Sequence, residues 1–549
     1  MTTVELFAIM TPNDKLRCIF MNVHYRRALI GVLCLCLLMP AFAQGAAAEG
    51  LLIAPAPPAA AEDISSEAVI TDSVGFKSLG HLFDGLLGWG GKTTCEGASL
   101  TVTHEAGIGS LYFIYDDLPG DYTLTNNDTG EAHACGGYGF MHDFLDVEAI
   151  FGSAPVSVTV TYSKKGVAVN ELSVYTPGQV PDTVQKWNAP VEDGTDLILF
   201  STHGDDEQLF FAGLLPYYAG ELGYEVLVVY LTDHRNYSGT IRMHEMLNGL
   251  WAVGVTTYPV FGEFIDYKSD YKDTVYYMFR QNGHSREDVL AYVVEQIRRF
   301  NPLVVVGHDF EGEYGHAQHM IYAELLSVAL EISNDPNSFP ELAEQYGVWD
   351  VPKAYFHLYK ENPIVMDWDQ PLEKFDGLTA FQVTQKLGFP CHESQQNTWF
   401  KRWLNDHGAI TMASQIQEYS PCEFGLYRST VGQDVAGNDF FENLNTYAQL
   451  AVIAEEARLA EEARLAEEAR LAEEARLAEE ASRAAQEEEA RRAEEAERKA
   501  EADRLAAEEA EAAAQAAKER QRTTILLSAM AGVAAIAWAV SAAEKRKKK

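Results

Sequence analysis

The spacing of apolar and polar positions divides the chain into segments of different kinds. From about residue 62 to 180, short runs alternate apolar with polar residues or are dense in β-formers, as in Ser110–Tyr115 and Val156–Tyr162. Asp-Asp-Leu-Pro-Gly and Lys-Lys-Gly turns lie nearby. Period-two runs between turn residues are typical of strands that bury one face. We therefore expect a β-sandwich over residues 62–185.

Between about 190 and 445 the pattern changes to short, fully apolar runs separated by stretches with helical spacing. The predicted strands are Leu197–Ser201, Val226–Leu231, Thr257–Phe261 and Leu303–Gly307, and the predicted helices are Arg242–Ala252, Arg286–Phe300 and Ala317–Ser333. Alternation of this kind is typical of βαβ units. It predicts an α/β domain over 190–445, with a Rossmann-like, doubly wound and mostly parallel sheet.

Residues 450–522 repeat Glu-Glu-Ala-Arg-Leu-Ala with a period of six. Leucines at that spacing step about 600° around a helix, so they form no continuous apolar seam. Arg458 lies three and four residues before Glu461 and Glu462, and pairs at these spacings support an isolated helix. We expect a solitary charged stalk rather than a coiled coil. The sequence does not determine the oligomeric state.

Both ends of the chain carry targeting signals. Arg26-Arg27 precede an apolar stretch that ends at Ala41-Phe42-Ala43, which is typical of a cleaved signal peptide over 1–43. An Ala/Pro-rich spacer follows at 44–61. Residues 525–543 are uncharged and precede a basic tail at 544–549; they span about 28 Å as a helix. We expect a single-pass type I membrane protein with its catalytic region outside a bacterial cell; a buried soluble helix is the alternative for 525–543.

The net charge restricts the class of ligand, and the cysteine content bears on disulfide formation. The net charge is −39, and residues 44–450 contain 20 Lys/Arg against 56 Asp/Glu. Such a surface repels nucleic acid and suits an uncharged glycan. Four cysteines follow the predicted cleavage site, which in an exported chain suggests disulfides. Pairing of neighbours, 95–135 and 391–422, is the simplest of three possible connectivities.

Two acidic-histidine motifs carry the candidate chemistry, and each follows a predicted strand. The motifs are His203-Gly204-Asp205-Asp206-Glu207 and His316-Ala317-Gln318-His319. Ligand sites of open α/β sheets lie at the carboxyl ends of strands, so the two motifs should meet there. His203, Asp206 and His319 would form a zinc site with an open position. Asp205 would take a proton from the attacking water, and His316 would stabilise an oxyanion. An ordinary polar turn is the alternative.

At these residues the chain resembles the PIG-L/LmbE family of zinc-dependent N-acetylglucosaminyl deacetylases. The match comprises Thr202–Glu207, the motif Arg242-Met243-His244-Glu245 with Val253-Gly254, Tyr314–His319, and His392-Glu393-Ser394-Gln395. Gly204 departs from the family pattern, which has proline there. The resemblance covers about 190–430.

The resemblance implies the same roles: one Zn²⁺ per catalytic domain on His203, Asp206 and His319, with Asp205 as general base and with His316 assisting the tetrahedral intermediate. It also implies that Arg242 contacts sugar hydroxyls, although an ion pair with Glu245 on the helix surface is the alternative. His392–Gln395 would equally serve loop hydrogen bonding, and His308 is equally a structural residue or a neighbour of the metal ligands.

Val167–Tyr175 resembles the last strand of discoidin-like, galactose-binding-type domains, so the sandwich is a carbohydrate-binding module or a spacer. The leading hypothesis is a membrane-anchored, metal-dependent amidohydrolase that removes acetyl from an N-acetylated glycan or glycoconjugate. The alternative is a non-catalytic carbohydrate-binding or adhesion protein built on a deacetylase-like domain.

Overall fold

The computed structural model describes residues 59–235, 239–396 and 409–546. The chain divides into two compact units, of which the smaller holds Pro177–Pro181 and, among the described residues, 59–62. Within it the Ala61 amide donates to the Gln179 carbonyl over 2.8 Å. All elements below belong to the larger unit. The predicted signal peptide and most of the predicted spacer lie outside the described residues.

Residues 69–175, here called the two-sheet region, form two antiparallel sheets. Its strands are β1 Val69–Val74, β2 Phe76–Lys77, β3 Gly91–Thr93, β4 Ser99–Thr103, β5 Ser110–Tyr115, β6 Tyr122–Asn126, β7 Ala132–Cys135, β8 His142–Asp146, β9 Ser157–Tyr162 and β10 Ala168–Tyr175, with helix α1 at Val147–Phe151. The orders are β1-β4-β9-β6-β7 and β2-β3-β10-β5-β8. Alternate residues of β9 are buried, including Val158 and Val160, so period-two patterning gives each sheet one apolar face.

The third sheet has seven strands. They are β11 Leu197–Ser201, β12 Val226–Thr232, β13 Val260–Phe264, β14 Val304–Gly307, β15 Lys353–His357, β16 Pro363–Val365 and β17 Glu423–Ser429. Their order is β13-β12-β11-β14-β15-β17-β16; β11 to β15 pair in parallel, and β16 and β17 pair antiparallel. Every residue of β11 and β12 is buried, because hydrophobic clusters cover both faces of this sheet. The sequence-based expectation of a mixed α/β chain is confirmed.

The helices connect these strands and cover the third sheet. They are α2 Asp206–Leu209, α3 Ile241–Ala252, α4 Lys272–Gln281, α5 Arg286–Phe300, α6 Ala317–Ile332, α7 Pro340–Tyr346 and α8 Ala380–Val383. Short 3₁₀ turns lie at Leu79–Phe83, Glu313–Gly315, Glu373–Phe375, Phe389–Cys391, Glu393–Gln395 and Ala413–Gln415, and π-helical turns at Pro216–Glu221 and Thr384–Gly388. A capping box of Ser285 with Asp288 begins α5, and Asn301 in the left-handed conformation ends it.

A helix of 100 residues, α9, runs from Tyr447 to Arg546 with no buried residue. It includes the predicted stalk and the apolar segment 525–543. Arg458 pairs with Glu455 at 2.7 Å and with Glu462 at 2.6 Å, so Glu455, three residues before Arg458, takes the place of the expected partner Glu461. Among the described residues, α9 is the helix that is long and apolar enough to cross a membrane.

The predicted disulfides are wrong in this structure, where all four described cysteines are free thiols. Cys95 lies between β3 and β4, whereas Cys135 ends β7 at the edge of its sheet, three strands away from β4. Adjacent strands lie about 4.8 Å apart, too far in sum for a bridge that needs Cα atoms within about 7 Å. Burial raises the pKa of Cys422 to about 12, which keeps this thiol protonated.

Candidate metal centre

The two histidine motifs meet at the carboxyl ends of β11 and β14, as the sequence predicts. The chain proceeds from β11 to β12 and β13 on one side of the sheet and continues with β14 and β15 on the other. The strand order therefore reverses between β11 and β14, which is where open α/β sheets form ligand crevices. His203 follows β11 directly, and His316 caps the start of α6 beyond β14.

Three potential ligand atoms converge at this point. His203 Nδ1 lies 3.1 Å from Asp206 Oδ2 and 3.1 Å from His319 Nε2, and the last two atoms are 3.2 Å apart. Ligand atoms about 2.0–2.1 Å from a tetrahedral zinc ion lie about 3.4 Å from one another. The nearly equilateral set of His203, Asp206 and His319 therefore has the donor types and the size for zinc, and all three side chains are buried.

Hydrogen bonds on the far side of each ring orient these histidines. His319 Nδ1 lies 2.7 Å from Glu313 Oε2, and a carboxylate accepts, so Nδ1 carries a proton and Nε2 is the nitrogen that faces the centre. His203 Nε2 likewise faces Gln318 Oε1 at 3.3 Å, which leaves Nδ1 for the centre. Outer carboxylates that fix the tautomer of a histidine ligand are the usual support of metal sites.

His308 belongs to this supporting set rather than to the ligands. It is buried, and it forms a compact group of potential metal ligands with Asp206 and His319, as His316 does with His203 and His319. However, its Nε2 accepts from the Thr202 amide over 3.0 Å, and its Nδ1 donates to Glu313 over 2.8 Å. Both nitrogens are thus used within the protein, and His308 positions Glu313.

Glu313 is the carboxylate that the sequence reasoning missed most completely. It is fully buried and accepts from His308, His319 and His357, the last over 2.7 Å. Burial opposes its charge, but these three rings hold the pKa of Glu313 well below its usual range. The glutamate is therefore ionised and locks three rings beside the centre.

His316 lies against the ligands, with its ring 4.7 Å from those of both His203 and His319. Its Nδ1 accepts from the Gln318 amide over 3.3 Å, so the neutral ring carries its proton on Nε2. Burial, followed by the proximity of His203 and His319, lowers the pKa of His316 to about 2. His316 is therefore a neutral hydrogen-bond donor at the predicted place.

Asp205 is buried beside the ligands, and its carboxylate lies 3.5 Å from Arg242 Nη2. Burial raises the pKa of Asp205 to about 6, although Arg242 opposes this shift. Arg242 also donates to the Gly204 carbonyl over 3.0 Å and lies 3.4 Å from Asp266. It does not form the alternative surface pair with Glu245, which instead accepts from the amide and hydroxyl of Ser394 at 2.7 and 2.6 Å.

Gly204, the position that departs from the family pattern, is held by neighbours that proline would not satisfy. Its amide donates to His234 Nε2 over 2.8 Å, and His234 Nδ1 in turn donates to Asp266 over 2.7 Å. Proline lacks that amide hydrogen. A Cβ at Gly204 would also collide with the side chain of Met246. His234 and Asp266 thus fix the turn that a proline would stiffen.

The remaining predicted motif packs behind the centre. His392 is buried, and its Nε2 lies 3.0 Å from Glu207 Oε1 as an ion pair without hydrogen-bond alignment. Ser394 holds Glu245 on α3, the helix that carries Arg242. His392–Gln395 therefore packs against the first motif and α3 and contributes no ligand atom to the triangle.

The segment that carries the metal centre is similar to known proteins. Residues 198–330 match the family model PIG-L, described as GlcNAc-PI de-N-acetylase. The chain is similar to 1D-myo-inositol 2-acetamido-2-deoxy-alpha-D-glucopyranoside deacetylases. The protein from Geodermatophilus obscurus is 27% identical over 45% of this chain and 90% of its own length. Deacetylase 1 from Catenulispora acidiphila is 26% identical over 37% of this chain and 68% of its own length.

Among solved structures, N,N'-diacetylchitobiose deacetylase from Pyrococcus horikoshii superposes with a TM-score of 0.27 and 18% identity, over 40% of this chain and 82% of that one. The matched family segment contains every ligand and proton-transfer residue named above. The chain therefore carries a PIG-L domain, of the family described as GlcNAc-PI de-N-acetylase, at residues 198–330.

Proposed function

We propose that this protein is a metal-dependent N-deacetylase that removes acetyl from an N-acetylglucosamine-type sugar. The observation that carries the proposal is the triangle of His203, Asp206 and His319 ligand atoms with sides of 3.1–3.2 Å. Asp205 and His316 border this triangle. The names of the similar proteins supply the substrate class, since each acts on an acetamido sugar.

Each group has a defined part in amide hydrolysis. Zinc on His203, Asp206 and His319 would polarise the acetyl carbonyl as a Lewis acid and activate water. Asp205 would take a proton from the water as its oxygen bonds to the carbonyl carbon, and would pass that proton to the nitrogen as the C–N bond breaks. His316 would donate a hydrogen bond to the oxyanion. The products are acetate and a free amine.

Arg242 would bind the sugar only through those guanidinium N–H groups that are not already bonded within the protein. Its Nη atoms already reach Gly204, Asp205 and Asp266, whereas its Nε has no partner among the described residues. We propose that Arg242 mainly positions Asp205; it would donate to a sugar hydroxyl only if substrate binding made its buried Nε accessible.

The last turns of α9 supply a membrane anchor in this proposal. Residues 525–543 are uncharged, and basic residues follow them directly. Basic residues favour the cytoplasmic side, so the PIG-L domain would lie outside the cell. If protease added to intact cells leaves the PIG-L domain uncut, the proposed orientation is wrong.

Acetate release tests the catalytic proposal. The full chain loaded with zinc is incubated with N-acetylated glycans, and Asp205→Asn is the matched inactive control. The proposal predicts acetate from the wild type and a loss with the variant. Binding of the glycans without acetate release in either protein would favour the non-catalytic alternative.

A further inference from the structure

A cavity lies beside the metal centre, where the two-sheet region meets the β13 edge of the third sheet. Its volume is about 470 Å³. Leu118 and Tyr138 of the two-sheet region line one wall; the loop after β12 and strand β13 supply the other, with Asp233, Arg235, Phe261 and Glu263. Neither region forms this cleft alone.

The wall from the two-sheet region presents apolar side chains to solvent. Leu118 and Tyr138 are each 43% exposed. The Tyr138 ring is nevertheless fixed, because it lies 5.4 Å from Phe140 and meets Tyr258 edge-on at 6.1 Å. Exposed apolar groups in a concave site are typical of ligand contacts. A ring that is already ordered loses little entropy when a sugar face packs on it.

Charged groups surround this apolar wall and select a class of ligand. Arg235 makes two 3.0 Å bonds to Asp117 and one of 2.6 Å to Asp233. Lys164 adds a second cation, because its ammonium group donates to the Leu118 carbonyl over 3.0 Å. With Glu263 at the same cleft, the three carboxylates still outnumber these two cations among the described residues. Such a site repels anions and offers fixed acceptors to hydroxyl groups. A neutral carbohydrate matches both properties.

Two short segments of chain connect the walls of the cleft to the metal centre. Asp233 and Arg235 line the cleft, whereas the residue between them, His234, holds Gly204 at the centre. Glu263 precedes Asp266 by three residues, so their Cα atoms lie within about 11 Å of each other. Asp266 itself lies 3.5 Å from His203. The two sites are therefore close enough in space for the neighbouring units of one extended ligand.

We infer that this cleft binds the sugar units that adjoin the N-acetylated sugar at the metal centre. The substrate is then an oligosaccharide or polysaccharide chain rather than a single sugar, and the two-sheet region forms part of its binding site. This inference rests on the proposed function for the position of the reacting sugar.

The length of the sugar substrate is the variable that tests this inference. The ratio of kcat/KM for the β-linked N-acetylglucosamine tetramer to that for the monosaccharide is measured on the zinc-loaded full chain. We expect this ratio to exceed one and to fall about tenfold in Tyr138→Ala, because a lost aromatic contact costs that much. Tyr138→Phe keeps the ring and should keep the ratio. Tyr277→Ala, at a tyrosine that is 53% exposed on α4, is the matched control.

Two results would overturn the inference: a wild-type ratio of one, or a ratio that Tyr138→Ala leaves unchanged. If the wild type releases no acetate from any glycan, the proposed function fails. The affinity for the tetramer then tests whether the cleft binds a sugar chain. Calorimetric titration of the tetramer into full-length Asp205→Asn and Asp205→Asn/Tyr138→Ala should show about tenfold weaker binding in the double variant. Equal affinities would refute the cleft.

Discussion

Two groups of buried histidines differ in what surrounds them. At the metal centre, His203, His316 and His319 lie among the carboxylates of Asp206 and Glu313. Where the two-sheet region meets α3, His142 Nε2 lies 2.8 Å from His244 Nδ1, and the two rings stack at 5.1 Å. The partners of His142 there are uncharged: Gln185 at 2.7 Å and the Tyr112 hydroxyl at 3.3 Å.

Carboxylates distinguish the ligand His319 from the neutral pair, whereas His316 stays neutral although it lies at the same centre. Burial alone would lower the pKa of His319, but Asp206 and Glu313 raise it to about 10. Burial lowers the pKa of His244 to about 4, and burial together with His244 lowers that of His142 well below its usual range. His319 is thus prepared for a cation, or for the replacement of its proton by a metal, because two carboxylates converge on it. The neutral pair serves instead to join two parts of the fold.

Among the variants that test the roles of these residues, Asp205→Asn should have the largest effect, and this effect should be on turnover. Asparagine keeps the size of the side chain but cannot accept the proton, so turnover should fall about 10²–10⁴-fold while zinc is retained. Parallel measurement of kcat and zinc content checks both halves. A variant with near-normal turnover, or one without zinc, would contradict the role given to Asp205.

The neutral pair should make stability depend on pH in a definite direction. Because the folded pKa of His244 is lowered to about 4, the unfolded chain takes up this proton first as pH falls below about 6.5. Stability should therefore be complete above that pH and decline toward pH 4, by about 3 kcal/mol for this group.

The control for the pair is His244→Gln, which removes one titrating ring. Thermal unfolding of wild type and variant is compared between pH 7.5 and 4.5. The variant should lose less stability over this range than the wild type. Identical pH profiles would show that the pair does not stay neutral in the folded protein.

Glu313→Gln should weaken metal binding while leaving every ligand in place. The amide no longer fixes the charge and tautomer of His319, and loss of such an outer partner lowers metal affinity about 10–100-fold. Competition with a zinc chelator measures this change. Glu311→Gln, at an exposed glutamate two residues earlier, is the matched control, and an equal loss there would point to a general charge effect.

His133→Ala should have the smallest effect. This histidine is exposed on β7 and belongs to neither group. Stability should change by no more than about 0.5 kcal/mol, without a change in zinc content or rate. A larger change in stability, zinc content or rate would contradict the view that the hydrogen-bond and charged partners of a histidine determine its contribution.

Sequence reasoning locates the ligands because local patterns encode them. The strand Leu197–Ser201 has the predicted bounds, since an unbroken apolar run is typical of a central parallel strand. His203 and Asp206 are three residues apart on one turn, so their meeting needs no long-range information. Adjacent strands β11 and β14 then bring His319 to them.

The residues that support the ligands are harder to find from the sequence, because their positions depend on strand ends that the hydrophobic pattern does not mark. The predicted strand Thr257–Phe261 lies instead at Val260–Phe264, because β13 is an edge strand that exposes Glu263 and thus breaks the apolar run. Asp266 follows the true end of this strand, and His357 ends β15, a strand not predicted at all. Glu313 escapes notice because its three histidines come from different segments.

Zinc binding to wild type, His319→Ala and His244→Ala tests the central claim most directly. Each full-length chain is freed of metal, titrated with zinc and analysed for bound metal. The account predicts one zinc ion per chain in the wild type and in His244→Ala, and none in His319→Ala. A wild type that binds no zinc, or a His319→Ala variant that still binds one ion at this centre, would contradict it.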